Sequence, residues 1–278
     1  MTKGRDLLSG RLFVLPSPEE LARAAAGRLW GIARERAKVL GRSGKGKGGI
    51  HVALSGGRTP RQTLIALSSE PYLSTFPWDL VHFFQVDERW VPAGDPSSNQ
   101  RMIREWFLSR APVRPEQFHP VDTSLPDPRQ GAGRYEEAIK AVIRKVSGGF
   151  PRFDAVLLGL GADGHTASLF PGSPALNERA AWVVNTEGGD PPLPRVTLTL
   201  PVLNAAFQVI FLVSGKEKAR ILEKLLSGRG EDIPASWVSP QRGRVTFLAD
   251  AAASSELTGK VPPGTGTGGA PGKRSDAG

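Results

Sequence analysis

The sequence predicts an α/β fold, a mainly parallel sheet flanked by helices on both faces. Three observations predict it. Short apolar runs alternate with amphipathic, helix-like stretches along most of the chain. One run, AVLLGL at 155–160, is apolar throughout, the pattern of a strand buried on both faces. Several runs end in polar, Gly-rich loops, and open α/β sheets bind ligands outside the carboxyl ends of their strands.

The elements follow in order. Ser17-Pro18-Glu19-Glu20 matches a capping box with Pro at the first helical position, and the Ala-rich stretch after it predicts a helix to about Leu40. Residues 41–49 (GRSGKGKGG) read as a basic connector. Residues 50–54 (IHVAL) form a strand, and Pro60 opens the helix after SGGRTP. Residues 81–86 (VHFFQV) form a second strand, ending at Asp87. Ser98 or Asn99 caps a helix carrying Met102, Ile103, Trp106 and Phe107. A helix at 133–146 has Tyr135, Ile139, Val142, Ile143 and Val146 as its apolar stripe. Residues 182–185, 196–200, 207–213 and 245–248 complete the strands, with a helix at 216–226. The organisation is one domain over 11–255 and a Gly/Pro-rich, disordered tail over 256–278.

Composition excludes several function classes. The chain has 278 residues, a net charge of +9 and no cysteine. A thiol nucleophile, thiolate metal sites and disulfides are therefore excluded. No window approaches ~20 apolar residues, so no membrane span is expected. The N-terminus lacks the apolar region of a signal peptide, and the expected location is cytoplasmic. The positive charge points to an anionic partner: nucleic acid, a membrane surface or a phosphorylated metabolite.

The strand-end loops carry the chemistry. In SGGRTP, Gly56 and Gly57 let backbone amides approach an anion at a helix N-terminus, and Ser55 and Thr59 add hydroxyls; an ordinary tight turn is the competing reading. Gly159 to Gly164 matches GxGxxG, but Pro171, Gly172 and Pro174 forbid the crossover helix of a dinucleotide site. His165, two residues from Asp163 in this Gly-rich loop, suits general acid/base work. His51 and His82 lie within strands and His119 in a Pro-rich connector, and no ligand cluster for a metal is visible. Asp87-Glu88-Arg89 sets two carboxylates and a guanidinium at a strand end, as a surface ion pair or an anion contact. Lys216 and Lys218 open a helix, where a cation is unfavourable unless solvent or an anion meets it. Arg195 is a third basic candidate.

Taken together, SGGRTP, VDERWVPAGDPSSNQRM, FDAVLLGLGADGHTASLFPGS, PRVTLTLPVLNAA and VIFLVSGKEKA, in this order, closely resemble the glucosamine-6-phosphate isomerase/6-phosphogluconolactonase family from about Arg11 to about Ala253. The resemblance implies a Rossmann-like sheet of the phosphosugar isomerase/lactonase type, no cofactor, and hydrolysis of 6-phospho-D-glucono-1,5-lactone in the pentose phosphate pathway. In the deaminase branch a Glu typically stands five positions past the His; here that position is Phe170, which favours the lactonase. By the family pattern Lys218, rather than Lys216, matches the phosphate-binding lysine. On this reading His165 activates a water, and Asp163 or Asp87 orients it or holds sugar hydroxyls. Amides of the Gly161–Gly164 loop receive the oxyanion. Ser55, Gly56, Gly57, Thr59, Arg89, Arg195 and Lys218 surround the phosphate. The alternatives are a deaminase/isomerase and a non-catalytic basic nucleic-acid-binding protein. The scattered cations and the strand-end loops argue against the second, so no nucleic-acid or membrane partner is expected. Monomer or homodimer stays open.

Overall fold

The structure, a computed structural model, describes residues 11–42, 49–144 and 146–257. Most of the connector expected at 41–49 and nearly all of the tail expected at 256–278 lie outside these residues. The strands are β1 (Arg11–Leu15), β2 (Ile50–Leu54), β3 (Val81–Gln85), β4 (Asp87–Arg89), β5 (Phe118–His119), β6 (Val146–Ser147), β7 (Phe150–Pro151), β8 (Ala155–Gly159), β9 (Val183–Gly188), β10 (Leu193–Leu198), β11 (Gln208–Val213) and β12 (Arg244–Asp250). The α-helices are α1 (Pro18–Arg42), α2 (Arg58–Leu67), α3 (Asn99–Ile103), α4 (Pro128–Val142), α5 (Leu200–Ala205) and α6 (Ala219–Leu226).

Seven strands form one sheet in the order β1-β12-β11-β8-β2-β3-β5, parallel throughout. Alternation along β11 shows why it is covered on both sides. Val209, Phe211 and Val213 join one buried cluster and Ile210 and Leu212 the other. The first face takes Tyr135 and Ile139 of α4 with Leu222 and Leu225 of α6. The second takes Leu64 and Leu67 of α2 and a stripe on α1, Leu21, Ala25, Leu29 and Ala33, spaced by one helical turn. Helix ends follow local chemistry. The Ser17 hydroxyl accepts from the Glu20 N–H at 3.2 Å, and Asp127 caps α4 by accepting from the Arg129 and Gln130 N–H groups.

The structure corrects several boundaries. Strand β1, absent from the sequence reading, lies along β12 at the sheet edge. Helix α4 starts earlier than 133 and ends at Val142, and Val146 is an exposed residue of β6, outside the stripe. Ser98 is the cap of α3, its side chain accepting from the Arg101 N–H. Trp106 and Phe107 follow in a π-type turn, Arg104–Leu108.

The largest correction concerns the runs at 182–185 and 196–200 and the DER segment. These form a separate antiparallel sheet, β4-β10-β9. The chain passes between the sheets at Val86, whose N–H donates to the Leu54 carbonyl while its own carbonyl accepts from the Leu198 N–H. The Tyr135 hydroxyl secures the bend, accepting from the Gln85 N–H and donating to the Gln85 carbonyl, both at 2.7 Å. In the large sheet, strands β2, β3 and β5 run outward one way and β8, β11 and β12 the other. The order of succession, not the strand direction, reverses between β2 and β8, the crevice where such sheets bind ligands.

Candidate active site

A cleft of about 260 Å³ opens at this crevice, walled by the β2–α2, β8, β4, α3 and β11 loop regions. The turn after β2 forms one wall. Gly57 holds φ at +99°, a conformation glycine adopts freely. A Cβ on Gly56 would stand 1.8 Å from Asn99 Oδ1, so only glycine lets Asn99 pack there. Ser55, Gly56, Gly57 and Thr59 all line the cleft, with the N-terminus of α2 behind them.

His165 lines the same cleft. His165 Nδ1 lies 2.6 Å from Asp163 Oδ1, and the same oxygen accepts the His165 backbone N–H at 3.1 Å. A Cβ on Gly161 would meet both groups, at 2.2 and 2.5 Å, so the pair lies over a bare glycine. Burial pushes the Asp163 carboxyl up, but the hydrogen bonds from His165 outweigh it and hold it below its usual value. Phe170 packs its ring 4.5 Å from the His165 ring, and the Arg195 guanidinium sits 5.3 Å above the centre of the Phe170 ring.

Asp87 is nearly buried and has different partners. Its Oδ2 accepts from the Ser168 hydroxyl at 2.6 Å, and its carbonyl accepts from Asn99 Nδ2 at 2.9 Å. Asp163 is thus the carboxylate bonded to His165, whereas Asp87 is tied to Ser168 and Asn99. Arg89 and Arg195 are partners across β4 and β10, and both line the cleft. Burial lowers the pKa of Arg195, with Asp87 opposing and Arg89 reinforcing. Lys218 lines the cleft and Lys216 does not. Ser55 Oγ and Arg89 Nε are buried without a hydrogen-bond partner in the protein, although both residues face the cleft.

Two expected site residues are outside the cleft lining: Asp163, which meets it only through its bond to His165, and Gly164. Gly164 packs under Ile233 with φ at +87°. Its N–H is spent on the Gly161 carbonyl, and the Gly161 N–H on the His165 carbonyl, so neither amide is free for an oxyanion. Among the other residues that reach the cleft, outside the candidate set, are Arg58, Asn99, Ala167 and Glu217. Arg58 was visible in SGGRTP as a cation at a phosphate-type turn. Among the described residues no group of three or more metal-ligating side chains is placed to hold a metal.

A family model described as glucosamine-6-phosphate isomerases/6-phosphogluconolactonase matches residues 16–247. The chain belongs to this family. Among its relatives is a 6-phosphogluconolactonase of Synechocystis, 38% identical over 224 residues, covering 79% of this chain and 88% of that one. A chloroplastic 6-phosphogluconolactonase of Arabidopsis thaliana is 38% identical over 220 residues, 77% of this chain and 67% of its own. The 6-phosphogluconolactonase of Trypanosoma cruzi superposes with a TM-score of 0.76 at 31% identity, covering 90% and 98% of the two chains. A monomeric glucosamine-6-phosphate deaminase shares the fold at 22% identity and a TM-score of 0.72. The parallel sheet and its crevice are thus those of the phosphosugar isomerase/lactonase superfamily.

Proposed function

We propose that the chain hydrolyses 6-phospho-D-glucono-1,5-lactone to 6-phospho-D-gluconate, the second step of the oxidative pentose phosphate pathway, with His165 as general base. The observation that carries this reading is the His165–Asp163 pair opposite a basic wall whose Ser55 Oγ and Arg89 Nε lack protein partners. The hydrogen bond to Asp163 occupies Nδ1 and leaves Nε2 to take a proton from water. The water oxygen bonds C1 and the carbonyl electron pair moves onto its oxygen. On collapse the C1–O5 bond breaks, and the proton on His165 passes to O5. Water and an imidazole suffice, and the scheme needs no cofactor.

The phosphate lies against Ser55, Gly56, Gly57, Thr59 and the start of α2, with Arg89, Arg195 and Lys218 around it. Arg58 joins this set. Asp87, fixed by Ser168 and Asn99, accepts from sugar hydroxyls. Remote phosphate binding sets the lactone carbonyl against the base. Phe170 argues against deaminase chemistry, because an apolar ring fills the space beside His165 where a second carboxylate would be needed. A cytoplasmic location belongs to this reading. The cyanobacterial relative supports it; among the described residues no helix is long and apolar enough to cross a membrane.

The test is kinetic. His165→Ala should lower kcat by about 10²-fold or more while 6-phosphogluconate still binds, measured by calorimetry. A variant with wild-type kcat would remove His165 from the chemistry. Wild-type protein that released ammonia from glucosamine 6-phosphate and ignored the lactone would favour the deaminase.

A further inference from the structure

One buried carboxylate borders the cleft and has no part in the chemistry above. Glu88 is 1% exposed and does not line the cleft. Five donors converge on it. Oε1 accepts the backbone N–H of Arg89 at 2.8 Å and of Asn99 at 2.7 Å. Oε2 accepts the Gln100 N–H at 2.6 Å, Gln85 Nε2 at 2.8 Å and the Ser98 hydroxyl at 3.2 Å. An ionised carboxylate suits such a cluster, since it offers about four lone-pair directions and no proton. A glutamine would turn an NH₂ group against two or three of the same donors. An apolar side chain would leave three buried backbone N–H groups without a partner.

What these bonds fix is the geometry of the cleft. A single oxygen, Oε1, takes the N–H groups of both Arg89 and Asn99, which line the cleft from β4 and from α3. From Asn99 the linkage continues outward. Its Nδ2 donates to the Asp87 carbonyl, and its Oδ1 occupies the space left by the missing side chain of Gly56. Arg89 in turn donates from Nη1 to the Ser97 carbonyl, next to the cap of α3. Glu88 therefore holds three pieces of chain in one register: β4, the start of α3 and, through Asn99, the turn after β2.

We propose that Glu88 is a positioning residue for the anion-binding side of the cleft, setting Arg89 and, through Asn99, the Gly56-Gly57 turn at the spacing at which they receive the substrate's phosphate. The inference rests on the phosphate placement given above. It requires a selective defect: loss of Glu88 weakens the hold on phosphate and leaves the His165–Asp163 pair, which belongs to the β8 loop, as it was.

The experiment is steady-state kinetics on Glu88→Gln, with the dissociation constant for inorganic phosphate and the thermal midpoint measured alongside. KM for the phosphorylated lactone should rise about tenfold or more, with kcat within about threefold of wild type. The phosphate dissociation constant should rise in step, and the pH dependence of kcat should stay unchanged. A purely structural role would lower the thermal midpoint and leave KM of the folded protein where it was. If Glu88→Gln does not fold, Ser98→Ala takes one donor from the same carboxylate and should raise KM about two- to threefold at constant kcat. Wild-type KM in a folded Glu88→Gln protein, or a loss confined to kcat, would overturn the proposal. If the wild-type protein did not turn over the lactone, the functional reading would fail, and the phosphate constant of the variant would still decide the role of Glu88.

Discussion

At the scale of single residues the cleft depends on what is missing as much as on what is present. Gly161 and Gly56 each leave the space into which a cleft-lining side chain folds, His165 in one case and Asn99 in the other. The His165–Asp163 bond also makes a pH prediction. The carboxyl of Asp163 is depressed in the folded protein. Its bond therefore contributes stability in full above the unfolded carboxylate range, about pH 4, and loses it as pH falls through the lower folded value. The gap in urea midpoint between wild type and Asp163→Asn should be full at pH 7 and close toward pH 3. His165 and Asp163 were legible because they sit together in a short Gly-rich turn. The division between Asp163 and Asp87 was not, because it is made by Ser168, eighty-one positions from Asp87 in the chain. The sequence leaves the cap of α3 to Ser98 or Asn99; the structure gives it to Ser98, and Asn99 lines the cleft.

At the scale of elements the decisive feature is the bend from β3 into β4. Two strands of different sheets meet there end to end, and the peptide groups of Gln85 lose the regular partners of an uninterrupted strand. Tyr135 replaces them, bridging the Gln85 N–H and carbonyl with one buried hydroxyl. Tyr135→Phe keeps the ring and removes the bridge. It should destabilise the fold by about 1–3 kcal/mol, read from urea unfolding, because two buried backbone groups lose a partner. The parallel strands were legible from their continuous apolar runs. The second sheet was not, because the period of an apolar strand is the same in either sheet, and membership is decided by Val86 and its two long-range bonds. Strand β1 escaped for a related reason: its burial is partial, and only pairing with β12 at the far end of the chain makes it a strand.

At the scale of the whole molecule the net charge of +9 has a specific and a diffuse part. The specific part is Arg58, Arg89, Arg195 and Lys218 around the cleft, offset by Asp87 and Glu217. The diffuse part should draw an anionic substrate toward the surface. The kcat/KM for the phosphorylated lactone should therefore fall as ionic strength rises from about 0.05 to 0.5 M, while kcat holds, because screening acts on encounter rather than on the bound complex. A flat salt profile would show that the surface charge does not steer.

The four cations are divided between the two sheets. Arg89 and Arg195 stand on the small antiparallel sheet, while Arg58 and Lys218 follow strands of the large parallel one. On the phosphate placement proposed above, the anion would touch both scaffolds at once. It would then act as a keystone, closing an arch whose two halves the polypeptide joins at Val86, and the handle by which the substrate is held would become for one turnover a part of the building.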